Sequence, residues 1–213
     1  MADEKRPYRM TRRAQAEKET RLRITESAVE LHGTLGPART TISALAEHAG
    51  VRRATVYRHF PDEAALFAAC SLHWLATNPF PDLAGWADIE DEDQRLAHAL
   101  GELYSHYRRN EQMMTNILRD EVAVPVLTQT LAGYRQYLVA ARDTLMAGRR
   151  LSGSPRRRVQ AAIGHALTFY AWHSLAIEQD LEDVEVTRLM CLLILAVDQD
   201  GSGAHAGGRK APP

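Results

Sequence analysis

Cysteine is almost absent from these 213 residues: Cys70 and Cys191 stand far apart and outside any CxxC pattern. A disulfide framework is therefore not expected, and two buried, reduced thiols are the plain reading. Long hydrophobic runs are missing as well. The longest, Leu189–Val197, is far short of the roughly 20 residues that cross a bilayer. The charged N-terminus lacks the apolar stretch of a secretory signal, so a cytoplasmic protein with no membrane partner is expected. Catalytic signatures are lacking: no HExxH, nucleophile elbow, P-loop or GxGxxG occurs. His98/His106 and His165/His173 lie eight apart, not at the i, i+4 spacing that sets two metal ligands on one helix face. No catalytic residue, metal or cofactor is assigned. Repeats are absent, and no apolar/polar alternation is long enough to build a sheet.

Helical patterning and an uneven charge are what the chain does have. Hydrophobic residues make up 45% and charged residues 25%, ordinary for a soluble globular protein. The net charge of −1 conceals an asymmetry: residues 1–60 hold 12 Lys/Arg against 7 Asp/Glu, the remainder 14 against 20. The N-terminal end is the basic one, as nucleic-acid binding requires.

The basic end centres on Thr40–Phe60, TTISALAEHAGVRRATVYRHF. Ile42, Leu45, Ala46 and Ala49 repeat at the spacing of one buried helical face, behind a hydroxyl cap from Thr40 and Thr41. Gly50 can end that helix in a left-handed conformation, and a second helix starts within two or three residues of Val51. So tight a turn forces a steep crossing, as in a helix-turn-helix. On the second helix Val56 and Phe60 share the inward face, while Ala54, Tyr57 and Arg58 fall outside, with Arg52 and Arg53 at its start. Arginine can pair bidentately with guanine, and apolar atoms can meet a thymine methyl in the major groove. Thr41, Thr55 and His59 stand where hydroxyl or imidazole donors would reach phosphates.

These residues resemble the DNA-binding domain of the TetR/AcrR family of bacterial transcriptional regulators. The match runs over Arg23-Ile24-x3-Ala28-x2-Leu31, Thr40-Thr41, Leu45-Ala46-x2-Ala49-Gly50-Val51, Ala54-Thr55-Val56-Tyr57-x-His59-Phe60 and Leu66-Phe67, a little over a quarter of the chain. The resemblance implies an all-α homodimer of about nine helices. An N-terminal three-helix helix-turn-helix domain would bind double-stranded operator DNA, and a C-terminal helical domain would bind a small-molecule effector and dimerise. Two departures stand out. Pro61-Asp62-Glu63-Ala64 puts an acid where the family usually opens the next helix with a lysine, and His32-Gly33 replaces a common aromatic-and-turn pair.

In chain order, residues 1–17 read as a flexible basic arm with Arg6, Arg9, Arg12 and Arg13, either solvated or touching DNA. Residues 18–78 form the DNA-binding domain. Its helix 1 runs from Lys18 to Leu31 and buries Leu22, Ala28, Val29 and Leu31; its last helix runs from Asp62 to Thr77. A loop of about ten residues follows Asn78. Residues 79–199 form the C-terminal domain, with helices at Glu90–Arg109, Glu111–Asp120, Pro125–Met146, Arg156–Gln179 and Val184–Asp198. Residues 200–213 read as a disordered tail.

Within that domain Ile163, Leu167, Tyr170 and Leu175, with Leu189, Leu192, Leu193 and Val197, are candidates for a two-fold helical interface, or else for intrachain core. An effector pocket, if aromatic and methionine residues line it, draws on Trp74, Tyr104, Tyr107, Met113, Met114 and Leu118. Tyr134, Leu138, Phe169, Trp172 and His173 complete that set, most of them equally readable as core. Three functions are compatible with this sequence. They are a ligand-responsive repressor at a near-palindromic operator, an effector-independent activator or architectural protein, and a helical ligand-binding or enzymatic domain with an incidental helix-turn-helix.

Overall fold

The computed structural model describes residues 5–203, all of whose regular elements are helices. By contacts the chain divides into two compact units. One takes the chain up to Pro79 together with Glu111–Leu131; the other takes Phe80–Asn110 and the chain from Ala132 onward.

The first unit holds α1 (Lys5–Thr34), a 3-10 turn at Pro37–Arg39, α2 (Ile42–His48), α3 (Arg53–His59) and α4 (Glu63–Thr77). It also holds α7 (Glu111–Asp120) and α8 (Val126–Thr130). Helix α1 begins at Lys5, well ahead of the expected Lys18, and takes in most of the supposed arm. Residues 5–17 are rich in Arg, Lys, Glu, Gln and Ala, which lose little side-chain freedom in a helix, and Pro7 falls in the first turn, where its missing N–H costs nothing. Ile24, Ala28 and Leu31 of α1 pack with Leu45, Ala46 and Ala49 of α2 and its cap, with Val56 and Phe60 of α3, and with Leu66 and Cys70 of α4. Leu22, expected inside, is 47% exposed; Ile24 takes the inward position. Cys70 is buried, and burial pushes its thiol pKa up to about 12, while Cys191 is only half-buried.

The second unit holds α5 (Leu83–Ala87), α6 (Glu92–Arg109), α9 (Ala132–Met146), α10 (Gly153–Ala166), α11 (Phe169–Ala176) and α12 (Asp183–Gly203). Its axis is α6, which buries Leu96, Leu100, Leu103, Tyr104 and Tyr107. The buried Arg149 guanidinium joins Asp93 and the Glu92 carbonyl at the start of α6 to Asp198 of α12.

More helices appear than the expected nine because three stretches break up. The expected loop after Asn78 contains α5, capped by Asp82 and anchored by the fully buried Trp86, whose indole N–H donates to Glu102 at 2.7 Å. Pro125–Met146 divides at Leu131, where the chain passes from the first unit to the second. Arg156–Gln179 divides at Leu167-Thr168. There Thr168 caps α11, and the freed carbonyls of Ala166 and Leu167 accept the hydroxyls of Tyr104 (2.9 Å) and Tyr107 (2.7 Å). Helix α12 continues through Gly203; the rest of the expected tail, 204–213, lies outside the described residues.

Candidate nucleic-acid interface

Local backbone chemistry builds the turn between α2 and α3. The Thr41 hydroxyl accepts from the Ala44 amide at 3.1 Å, satisfying one of the orphan donors of α2. At the other end the Val51 amide reaches back to the Ala46 carbonyl (2.9 Å) and Gly50 to Glu47 (3.1 Å), the paired bonds of a Schellman stop. Gly50 sits at φ +62°, where a Cβ would be strained. Val51 re-enters the core and α3 begins two residues later.

Helix α3 then divides into two faces. Val56 and Phe60, at its C-terminal boundary, are almost completely buried. Arg52, Arg53, Ala54 and Arg58 are exposed, as is Tyr57 at 51%. None of the three guanidiniums forms an ion pair among the described residues, so their donors remain available to a partner. Thr55 is half-buried. Thr41 is exposed, and its hydroxyl, although it accepts the Ala44 amide, keeps an O–H to donate outward.

His59 departs from expectation. Its ring is 7% exposed, with Nε2 lacking a hydrogen-bond partner among the described residues. Burial first, and then the adjacent Arg58 charge, hold its pKa below the ordinary imidazole value. Three residues after Val56, it stands beside that residue on the inward face, on the side away from Phe60; it is buried there, and in this conformation it does not offer a donor to phosphate. At the start of α4, Asp62 accepts the Ala65 amide at 2.8 Å and caps the helix, which opens on the acidic Glu63.

Two arginines of α1 fix the motif, and only one of them carried a signal in the sequence. Arg23 donates from Nε to the Ala49 carbonyl at the end of α2 (3.0 Å). Arg21 donates to the His59 carbonyl at the end of α3, and its guanidinium carbon lies 4.1 Å from the Phe60 ring centroid. Both cations meet the negative ends of the short helices they hold, where a helix dipole favours them. Arg23 belongs to the matched motif, whereas Arg21 has no local periodicity that marks it.

The candidate pocket residues fall into two groups. Trp74, Met113, Met114 and Leu118 belong to the first unit. In the second, Tyr104, Tyr107, Phe169 and Trp172 are buried to within 1%. The hydroxyl of Tyr107 also meets that of Tyr134 at 3.0 Å. The Trp172 indole donates to Asp183 at 2.9 Å. Tyr134, Leu138 and His173 are half-buried and more accessible. Of the interface candidates, Ile163 and Leu167 are fully buried inside their own unit and are core. Tyr170, Leu192 and Leu193 are more than half exposed, and Leu175, Leu189 and Val197 lie between these extremes. No helix is long and apolar enough to cross a membrane among the described residues.

Comparison with known proteins converges on the same segment. Residues 24–70 match the family of bacterial regulatory proteins called tetR. The HTH-type transcriptional regulator TtgR of Pseudomonas putida is 41% identical over 86 residues, 39% of either chain. An uncharacterised HTH-type transcriptional regulator of Mycobacterium tuberculosis is 24% identical over 134 residues, which is 63% of this chain and 68% of that protein. Among solved structures, a tetR-family transcriptional regulator from Streptomyces coelicolor superposes with a TM-score of 0.61 at 17% identity, covering 88% of this chain and 83% of that one. At that identity the likeness shows a shared fold.

Proposed function

We propose that this TetR-family transcriptional regulator is a ligand-responsive repressor that binds a near-palindromic operator as a homodimer in the cytoplasm. The observation that carries the reading is the outer face of α3: Arg53, Ala54, Tyr57 and Arg58 are exposed and, among the described residues, without internal ion pairs, on a helix held at both ends. Such a face gains nothing for the fold, and its donors, its small Ala54 and its phenol suit base edges in a major groove.

One seven-residue helix makes few base contacts. Two related by a two-fold axis, entering successive major grooves roughly 34–36 Å apart, read a palindrome with useful affinity. Tyr170, Leu192 and Leu193 are large apolar side chains left in water on α11 and α12, which supports that part of the chain as the pairing surface. A small, largely apolar effector that binds better to a conformation with the wrong half-site spacing would release the DNA. Tyr134, Leu138 and His173 are the accessible members of the aromatic set that could meet it.

Selection of duplexes from a random library by the full-length chain, followed by footprinting, tests the reading. The enriched sequences should contain two inverted half-sites about one helical turn apart. The affinity should fall with salt in proportion to the phosphates neutralised. Enrichment of no sequence over a scrambled duplex would refute it.

A further inference from the structure

Two side chains of α7, far along the chain from the helix-turn-helix, close the connection between α1 and α2. Asn116 is 5% exposed, and its amide donates to the carbonyls of both His32 (3.2 Å) and Gly33 (2.7 Å). These carbonyls belong to the last turn of α1, where the helix itself supplies no donor. Four residues further on, the buried Asp120 carboxylate accepts the amide of Ala38 at 3.0 Å, at the start of the 3-10 turn. Its other oxygen is held by the Arg119 guanidinium at 2.7 Å. Asn116 and Asp120 are one helical turn apart, so one face of α7 grips both sides of the connection.

The connection is shaped to admit them. Gly36 has φ +90°, and a Cβ there would run into both Arg119 and Asp120. Gly33 leaves room for Met113, whose Cε would be 3.3 Å from a Cβ at that position. His32 stacks on Phe67 of α4 at 4.8 Å between ring centroids, tying the same turn to that helix as well. From Ala38 the chain runs directly to Thr41, the cap that starts α2. Helix α2 is thus located at its C-terminal end by Arg23 and at its N-terminal end by a turn that α7 holds. Helix α3 follows from α2 through the fixed Gly50 turn.

We infer that Asn116 and Asp120 are positioning residues for operator recognition: they set where α2, and through it α3, lies on α1, without touching DNA. The inference rests on the operator-binding reading. It separates geometry from mere stability, because a misplaced α3 loses the sequence-specific share of affinity while its arginines still meet phosphates. Sequence-independent binding comes from charge and does not need that registry.

The test uses the full-length chain, a duplex selected by the wild type, and a scrambled duplex of the same length. Asn116→Leu removes the two amide bonds. Asp120→Asn keeps the shape and an acceptor but loses the ion pair, and it carries the test alone if circular dichroism shows Asn116→Leu unfolded. Affinity and active fraction are measured together by stoichiometric titration, with Tyr57→Ala as the control for the interface itself. For folded variants the dissociation constant for the selected duplex should rise about tenfold, the size expected for one or two buried hydrogen bonds. Affinity for the scrambled duplex should stay within twofold. A selected-duplex affinity within twofold of wild type, whether or not the active fraction falls, would overturn the inference. If the wild type itself preferred no duplex, or Tyr57→Ala bound as well as wild type, the operator-binding reading would fail instead.

Discussion

Helices α3 and α11 are nearly the same length, yet Tyr57 of the first and Phe169 and Trp172 of the second serve opposite purposes. Both follow a sharp break in the chain, at Gly50 for one and at Leu167-Thr168 for the other. In α11, Phe169 and Trp172 are sealed from water, Thr168 caps the start, and the indole of Trp172 donates to Asp183 beneath the Arg108 guanidinium. In α3, Tyr57 stands half in water beside arginines that no carboxylate pairs with among the described residues. A buried polar group that is fully satisfied contributes to the fold. An exposed cluster of aromatic and cationic groups with no internal partner contributes almost nothing to it, and its composition is that of a surface made for another molecule.

The contrast sharpens most where a side chain is removed from α11. Trp172→Ala should cost about 3–5 kcal/mol, since it empties a buried site and takes one donor from Asp183, which Arg108 continues to hold. Urea unfolding followed by hydrogen exchange should place that loss in α6, α11 and α12. A loss below about 1 kcal/mol would put Trp172 outside the core.

Next in size is the effect of acid on the first unit. Burial holds the His32 pKa near about 4 against an ordinary 6.5, with Asp120 pulling it the other way. The unfolded chain therefore binds a proton that the folded chain refuses, and stability falls as pH drops through the window between those two values. The full loss from this residue is on the order of 3 kcal/mol. His32→Phe, which keeps a ring on Phe67, should flatten that dependence; an unchanged pH profile would show that His32 is not its source.

Smaller again, Tyr107→Phe deletes the hydroxyl that serves the Leu167 carbonyl and Tyr134, and should cost about 1–2 kcal/mol with no change in DNA affinity. At the low end, Tyr57→Ala and Arg58→Ala should each leave the unfolding free energy within about 0.5 kcal/mol of wild type. A marked destabilisation by either would mean that α3 spends its outer face on the fold, and the contrast with α11 would disappear.

The two helices also differ in how far their structure could be read from residues alone. For α2 and α3 the cap, the turn glycine and the inward pair Val56 and Phe60 are local features, set by neighbours within a few positions, and the family motif reinforced them. The boundaries of α4, α6 and α7 follow from Asp62, Asp91 and Pro/Asn breakers in the same way. Local signals end where tertiary contacts decide. The split at Thr168 is stabilised by tyrosines some sixty positions earlier in the chain, and no periodicity within Arg156–Gln179 announces it. The burial of His59 depends on Arg21 and the core around Phe60, and the attachment of α7 to α1 depends on Asn116 and Asp120 meeting backbone groups more than eighty residues away. Backbone carbonyls leave no mark in a sequence, so the side chains that seek them out are the hardest to foresee.

The most direct measurement is the affinity of Tyr57→Ala and Arg53→Ala for the duplex that the wild-type chain selects, taken beside their melting temperatures. Specific binding should fall by about thirtyfold or more, the sum expected for a base contact of about 1–3 kcal/mol lost in each of two half-sites, while melting stays within a degree or two of wild type. Wild-type affinity in both variants would contradict the assignment of α3 as the helix that reads DNA.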